Sequence, residues 1–115
     1  MTVTIYHNPR CSKSRQTLQL LRDRGVEPAI VEYLETPPDA PTLRHILDLL
    51  NLAPRGLMRK GEDAYAANGL ADDGLDEGQL IDAMVPDPIL IERPIVLANG
   101  RAAIGRPPET VLEII

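Results

Sequence analysis

The chain has 115 residues, enough for one domain with a real core and too few for two. It is 43% hydrophobic and 25% charged, the balance of a globular domain, and its single cysteine excludes an intramolecular disulfide. The net charge of −5 argues against nucleic acid as the main partner, because phosphate binding needs a basic face.

No N-terminal signal pattern and no long apolar run occur, so no membrane segment is expected and a cytoplasmic setting is the default. With no Phe and no Trp, the core must be built from Leu, Ile, Val, Ala and Met. No repeat, low-complexity tract or cluster of metal-ligand residues stands out, so no metal and no bound cofactor is expected.

In chain order, Thr2-Val3-Thr4-Ile5-Tyr6 is β-branched and ends in an aromatic, which reads as a buried strand. Ser14 to Arg24 sets Leu18, Leu20 and Leu21 among polar and basic residues and stops at Gly25, which reads as a helix. Ala29 to Leu34 is a second strand, and strand, helix, strand implies a parallel pair with a right-handed crossover. Asp39 to Leu50 is an amphipathic helix with Leu43, Ile46, Leu47 and Leu50 on one stripe; His45 lies off it and is expected at the surface.

From Pro54 to Pro88 five glycines break the pattern into short helices, the best of them Asp76 to Val85. Ile89 to Leu97 holds two apolar runs split by Glu92-Arg93-Pro94. Ala98-Asn99-Gly100-Arg101 then signals a hairpin returning through Ile104. Pro107 opens a last helix, Glu109 to Ile115. Tyr6 and Tyr33 are expected in the core. The predicted fold class is α/β: one domain, β-α-β then β-hairpin-α, with a helical insert at about residues 39–88 between the halves.

Cys11 falls where the first strand hands over to the first helix. Unpaired N–H groups and the positive end of the helix dipole point at such a position. Arg10, Lys13 and Arg15 add cations nearby. Thiols so placed have pKa values lowered to about 3.5–7.5, against about 8.5 when free. A lone cysteine also suits a small buried apolar side chain, but Pro9 and the cations make this an awkward stretch to bury. Cys11 is therefore the candidate nucleophile. The same N–H groups, with the Ser12 and Ser14 hydroxyls, are placed to hold a tetrahedral oxyanion, and His7 to bond the thiolate or add positive charge.

His7-Asn8-Pro9-x-Cys11-x-x-Ser14-Arg15 resembles the active-site signature of the glutaredoxin-linked arsenate reductase family, whose fold is thioredoxin-like. Leu57-Met58-Arg59-Lys60, Leu80-Ile81-Asp82, Ile91-Glu92-Arg93-Pro94-Ile95-Val96 and Gly105-Arg106-Pro107 follow in the expected order, so the likeness spans nearly the whole chain. The resemblance implies that Cys11 attacks arsenate and forms a covalent adduct, with His7 beside it. It implies that Arg59, Arg93 and Arg106, with Ser14 and Arg15 of the signature, hold the oxyanion. It makes glutathione a co-substrate and glutaredoxin the partner that resolves the mixed disulfide before arsenite leaves. It also places Pro94 where thioredoxin folds keep a cis proline.

Guanidinium groups suit this task, since they grip tetrahedral oxyanions through paired, charge-assisted hydrogen bonds. Taken singly, each arginine also reads as an ordinary solvated side chain, and Arg55, Arg59 and Lys60 as a basic helix face. With one cysteine, the second thiol must come from outside the chain. Ser12-Lys13 after the cysteine and the absence of a longer C-terminal tail resemble the short branch of the family. Two alternatives follow from the resemblance: a glutaredoxin-like redox protein acting on glutathione mixed disulfides, and a Spx-like regulator, which would need a second cysteine to sense oxidation internally.

Overall fold

The computed structural model describes residues 2–115. The chain forms two compact units, one running up to Thr36 and resuming over Arg93–Ile115, the other Pro37–Glu92. The expected insert at 39–88 lies within the second. Among the described residues no helix is long and apolar enough to cross a membrane.

The first unit is built on a four-stranded mixed sheet. Strand β1 (Val3–His7) leads into helix α1 (Ser12–Asp23) and then β2 (Ala29–Glu32). Strands β3 (Ile95–Ala98) and β4 (Arg101–Ile104) form the hairpin, and Pro108–Glu113 closes the chain as a 3-10 helix. The sheet order is β2-β1-β3-β4. Strand β1 runs parallel to β2, with Ile5 opposite Ile30, and antiparallel to β3, with Ile5 opposite Val96. This is the expected thioredoxin-like arrangement. The hairpin turns on Asn99 (φ 55°) and Gly100 (φ 70°), both left-handed as a tight two-residue turn requires.

Burial follows the pleat. Val3, Ile5 and His7 alternate inward along β1, while Thr4 and Tyr6 are half-buried. Val3 and Ile5 pack with Leu18 and Leu21 of α1, Val96, Ala98 and Ala103 of the hairpin, and Val111 and Ile114, an aliphatic core with no aromatic ring. Helix α1 ends in a Schellman motif, with Val26 N–H bonding Leu21 O at 3.0 Å and Gly25 N–H bonding Arg22 O at 3.0 Å. Gly25 takes φ 77° there, which any side chain would strain.

Three expected elements differ. Strand β2 ends at Glu32, because the N–H groups of Glu35 and Thr36 both bond Glu32 O and turn the chain there. Tyr33, the first residue inside that turn, is buried, at 1% exposed. Helix α1 begins at Ser12 rather than Ser14, with Cys11 as its N-cap. The last helix is 3-10 and not α. A segment of six residues opened by a proline has too few N–H groups to sustain an i→i−4 ladder, so the tighter i→i−3 pattern wins.

In the second unit, α2 (Ala40–Leu50) is capped by Asp39, whose carboxylate accepts the N–H of Thr42 at 2.9 Å. It buries Leu43, Ile46 and Leu47 and leaves His45 exposed. Helix α3 (Asp63–Ala67) is a short turn, and α4 (Glu77–Met84) opens with a capping box between Asp76 and Gln79. The apolar run at Ile89–Ile91 is not a strand. Pro88 opens a 3-10 turn over Pro88–Leu90, and only a single bridge forms, between Ile91 and Met58.

The strand ends of the first unit meet at a crowded point. A Cβ on Gly105 would lie 2.5 Å from Thr17 Oγ1 and 2.8 Å from Pro94 Cγ. Thr17 is fully buried and its hydroxyl bonds Lys13 O at 2.8 Å, so it has no room to yield. Gly105→Ala is expected to destabilise the fold by about 1–3 kcal/mol, read as a lower urea midpoint; an unchanged midpoint would show that this contact relaxes freely.

Candidate active site

The loop between β1 and α1 is held by hydrogen bonds rather than by packing. Asn8 O accepts the N–H of Cys11 at 3.0 Å, closing a turn with Pro9 at its second position. Asn8 Oδ1 accepts the N–H of Arg10 at 3.0 Å, and the Arg15 guanidinium donates to Pro9 O at 2.9 Å. From the helix side, Ser14 Oγ accepts the N–H of Asn8 at 3.0 Å and lies 2.6 Å from His7 Nδ1. His7, Asn8 and Ser14 are all buried. Cys11, between them in sequence, stays partly exposed.

Sheet register brings two distant arginines to this loop. Ile95 pairs with Tyr6 at the end of β1 and with Ile104 at the end of β4. The residues just outside that rung, Arg93 and Arg106, therefore return to the end of the sheet where Cys11 sits. Both precede cis prolines, Pro94 and Pro107. Arg106 Nη2 donates to Cys11 Sγ at 3.4 Å, and its Nε donates to Arg93 O at 2.7 Å.

The thiol is tuned by opposing effects. Burial pushes its pKa up, but the Ser14 backbone N–H, a hydrogen bond from Arg93, and the charges of Arg93 and Arg106 outweigh that and hold it below its ordinary value. The cations that lower it are thus not Arg10, Lys13 and Arg15, as nearness in sequence suggests, but two arginines from the far end of the chain.

Two expected roles are corrected. His7 does not supply positive charge: burial lowers its pKa, Glu32 pulls the other way, and Arg22 and Arg15 lower it further. It is a neutral imidazole at pH 7 whose Nδ1 is engaged with Ser14. The Ser14 hydroxyl does not face an oxyanion either; it is fully buried against His7 and Asn8, and Ser14 offers the thiol its backbone N–H instead. Arg15 braces the loop through Pro9 O. Arg59 belongs to the second unit, where it is ion-paired with Glu62 at 3.1 Å and Glu92 at 3.0 Å. Among the described residues no group of three or more His, Cys, Asp or Glu side chains is placed to hold a metal ion.

Sequence reasoning missed Asn8 and Gly105. The Asn-Pro pair was a visible turn signal, whereas the demand on Gly105 arises only from the approach of Thr17 and Pro94.

Arg106→Gln is expected to raise the Cys11 pKa toward the free-thiol value of about 8.5. The pH midpoint of iodoacetamide alkylation checks this, and an unmoved midpoint would mean that Arg106 contributes nothing to the thiolate. His7 gives a second pH effect. Its folded pKa lies below the unfolded value of about 6.5, so between the two the unfolded chain binds the extra proton. Stability is complete above about 6.5 and falls as pH drops through the folded value. His7→Gln is expected to flatten that slope in urea titrations between neutral and acidic pH.

Comparison with known proteins agrees with this geometry. The chain is 62% identical over 114 residues to the uncharacterized protein YfgD of Escherichia coli strain K12, covering 98% of this chain and 96% of that one. An arsenate reductase of Neisseria meningitidis serogroup A is 49% identical over 114 residues, covering 98% and 97%. The solved structure of an arsenate reductase from Vibrio cholerae superposes with a TM-score of 0.98 at 49% identity, covering 100% of this chain and 98% of that one. The ArsC family model matches residues 6–114, and with the fold of its solved relative in agreement the chain belongs to the ArsC family.

Proposed function

We propose that this protein is an arsenate reductase that uses Cys11 as its nucleophile and draws electrons from glutathione. The observation that carries the reading is the Cys11 thiol in hydrogen-bond contact with Arg106, its pKa lowered by Arg93 and Arg106, in a chain of the ArsC family. A thiolate with guanidinium groups beside it is matched to a small tetrahedral oxyanion, since the charges that stabilise the sulfur also draw the anion to it.

In this reading the Cys11 thiolate attacks arsenic, a sulfur–arsenic bond forms as an arsenic–oxygen bond breaks, and the departing hydroxide takes a proton from solvent and leaves as water. The sulfur of glutathione then attacks Cys11 sulfur. A disulfide forms, the sulfur–arsenic bond breaks, and its electron pair stays on arsenic, which leaves as arsenite. Arsenic gains two electrons and the two sulfurs lose them. A glutaredoxin thiol reduces the Cys11–glutathione disulfide and returns the thiolate. Arg93 and Arg106 stabilise the charge on the oxyanion and its adduct. Neutral His7 and Ser14 position the loop. No bound cofactor is required, and the thiol supply suits the cytoplasm.

The test is NADPH consumption with arsenate, glutathione, glutaredoxin and glutathione reductase, with arsenite measured directly. Cys11→Ser is expected to abolish arsenite formation, because an alcohol at a helix start stays protonated and is a far poorer nucleophile. Arsenite from that variant would overturn the site assignment. No arsenite from the wild type, with Cys11 still reactive, would move the substrate to disulfides.

A further inference from the structure

A concave feature lies in the first unit beside the same loop. It is a cleft of about 220 Å³ bounded by the Asn8–Arg10 loop on one side and by Glu32, Leu34 and Glu35 on the other, with His7 in its wall. None of the chemistry described above uses it. Its rim carries one cation and two carboxylates, and Leu34 adds an apolar wall.

His7 makes the cleft more than a surface dip. The residue is 6% exposed, and its one hydrogen bond among the described residues joins Nδ1 and Ser14 Oγ, 2.6 Å apart. Ser14 Oγ also accepts the Asn8 N–H. The other ring nitrogen, Nε2, has no hydrogen-bond partner among the described residues. A largely buried imidazole that lines a cleft and has one nitrogen unengaged can hydrogen-bond a polar ligand there. Glu32, opposite His7 in the β1–β2 register, supplies the negative side.

We propose that this cleft binds the zwitterionic γ-glutamyl end of glutathione. Its α-carboxylate pairs with Arg10, its ammonium with Glu32 and Glu35, and the amide of the γ-linkage hydrogen-bonds His7 Nε2. Both charges of an amino-acid end are matched, which neither a simple oxyanion nor an apolar ligand would require. The cleft wall includes Arg10, one residue before Cys11, and an extended γ-glutamylcysteinyl unit spans roughly 8–10 Å. A donor held by its glutamyl end therefore has the reach to present its thiol at the Cys11 end of the loop. The assignment rests on glutathione being the electron donor.

The test uses S-methylglutathione, which binds without reacting, followed by NMR on the full-length protein. It is expected to shift the His7 imidazole resonances and the Leu34 and Glu35 amides. S-methyl-cysteinylglycine, which lacks the γ-glutamyl group, is expected to bind at least about tenfold more weakly, and so is S-methylglutathione to Glu35→Gln. In the coupled assay Glu35→Gln should raise the KM for glutathione with kcat nearly unchanged. Equal binding of the two thioethers, or shifts confined to residues outside the cleft, would overturn the site while leaving arsenate reduction untouched. Cleft-specific binding by a protein that forms no arsenite would sustain the site and remove arsenate as the substrate.

Discussion

Ser14 is the residue on which the site depends. Its backbone N–H stabilises the Cys11 thiolate, and its hydroxyl joins the N–H of Asn8 to the ring of His7. One fully buried residue thus ties the end of β1 to the first turn of α1. The turn at Asn8-Pro9-Arg10 has little apolar surface to bury, so these bonds are what keep the sulfur at the helix start. One buried hydroxyl thereby engages both the Asn8 N–H and His7 Nδ1, two polar groups that burial would otherwise leave without a partner.

The sheet supplies the charge. Because β3 and β4 are antiparallel neighbours of β1, a single rung, Tyr6–Ile95–Ile104, brings three chain segments to one end. Arg93 and Arg106 arrive there with the N-terminus of α1, and the thiolate is stabilised by groups 82 and 95 positions away in sequence. Gly105 marks how closely these segments approach, since Thr17 and Pro94 occupy the space a side chain would need. Two guanidinium groups and a helix start converging on one sulfur make a site suited to an anionic electrophile. The cleft between Asn8–Arg10 and Glu32–Glu35 carries charge of both signs.

Where local chemistry decides the outcome, the residues could be read directly. The helix at 40–50 has an aspartate cap and an aliphatic stripe, and the hairpin at 98–101 has the Asn-Gly that its left-handed turn demands. Elements failed where neighbouring constraints overrode pattern. Ile89-Leu90-Ile91 has strand composition, but Pro88 removes a donor and sets the chain into a 3-10 turn. Ending the first strand at Tyr6 hid the fact that His7 continues its inward alternation. With His7 counted as a strand residue, its burial and lost charge would have followed from the pleat.

The sequence alone therefore determined that a single thiol sits at a strand-to-helix junction, that no second cysteine in the chain can relieve it, and that the order of elements is β-α-β, helices, hairpin. These are matters of local propensity and counting, and they need no partner from elsewhere in the chain. Only the tertiary structure decided which cations act on Cys11, that His7 is neutral, and that Ser14 turns its hydroxyl inward and its amide toward the sulfur. Those outcomes depend on burial and on distances set by sheet register. The fields involved act over a few ångströms of space, and that nearness has no counterpart in spacing along the chain.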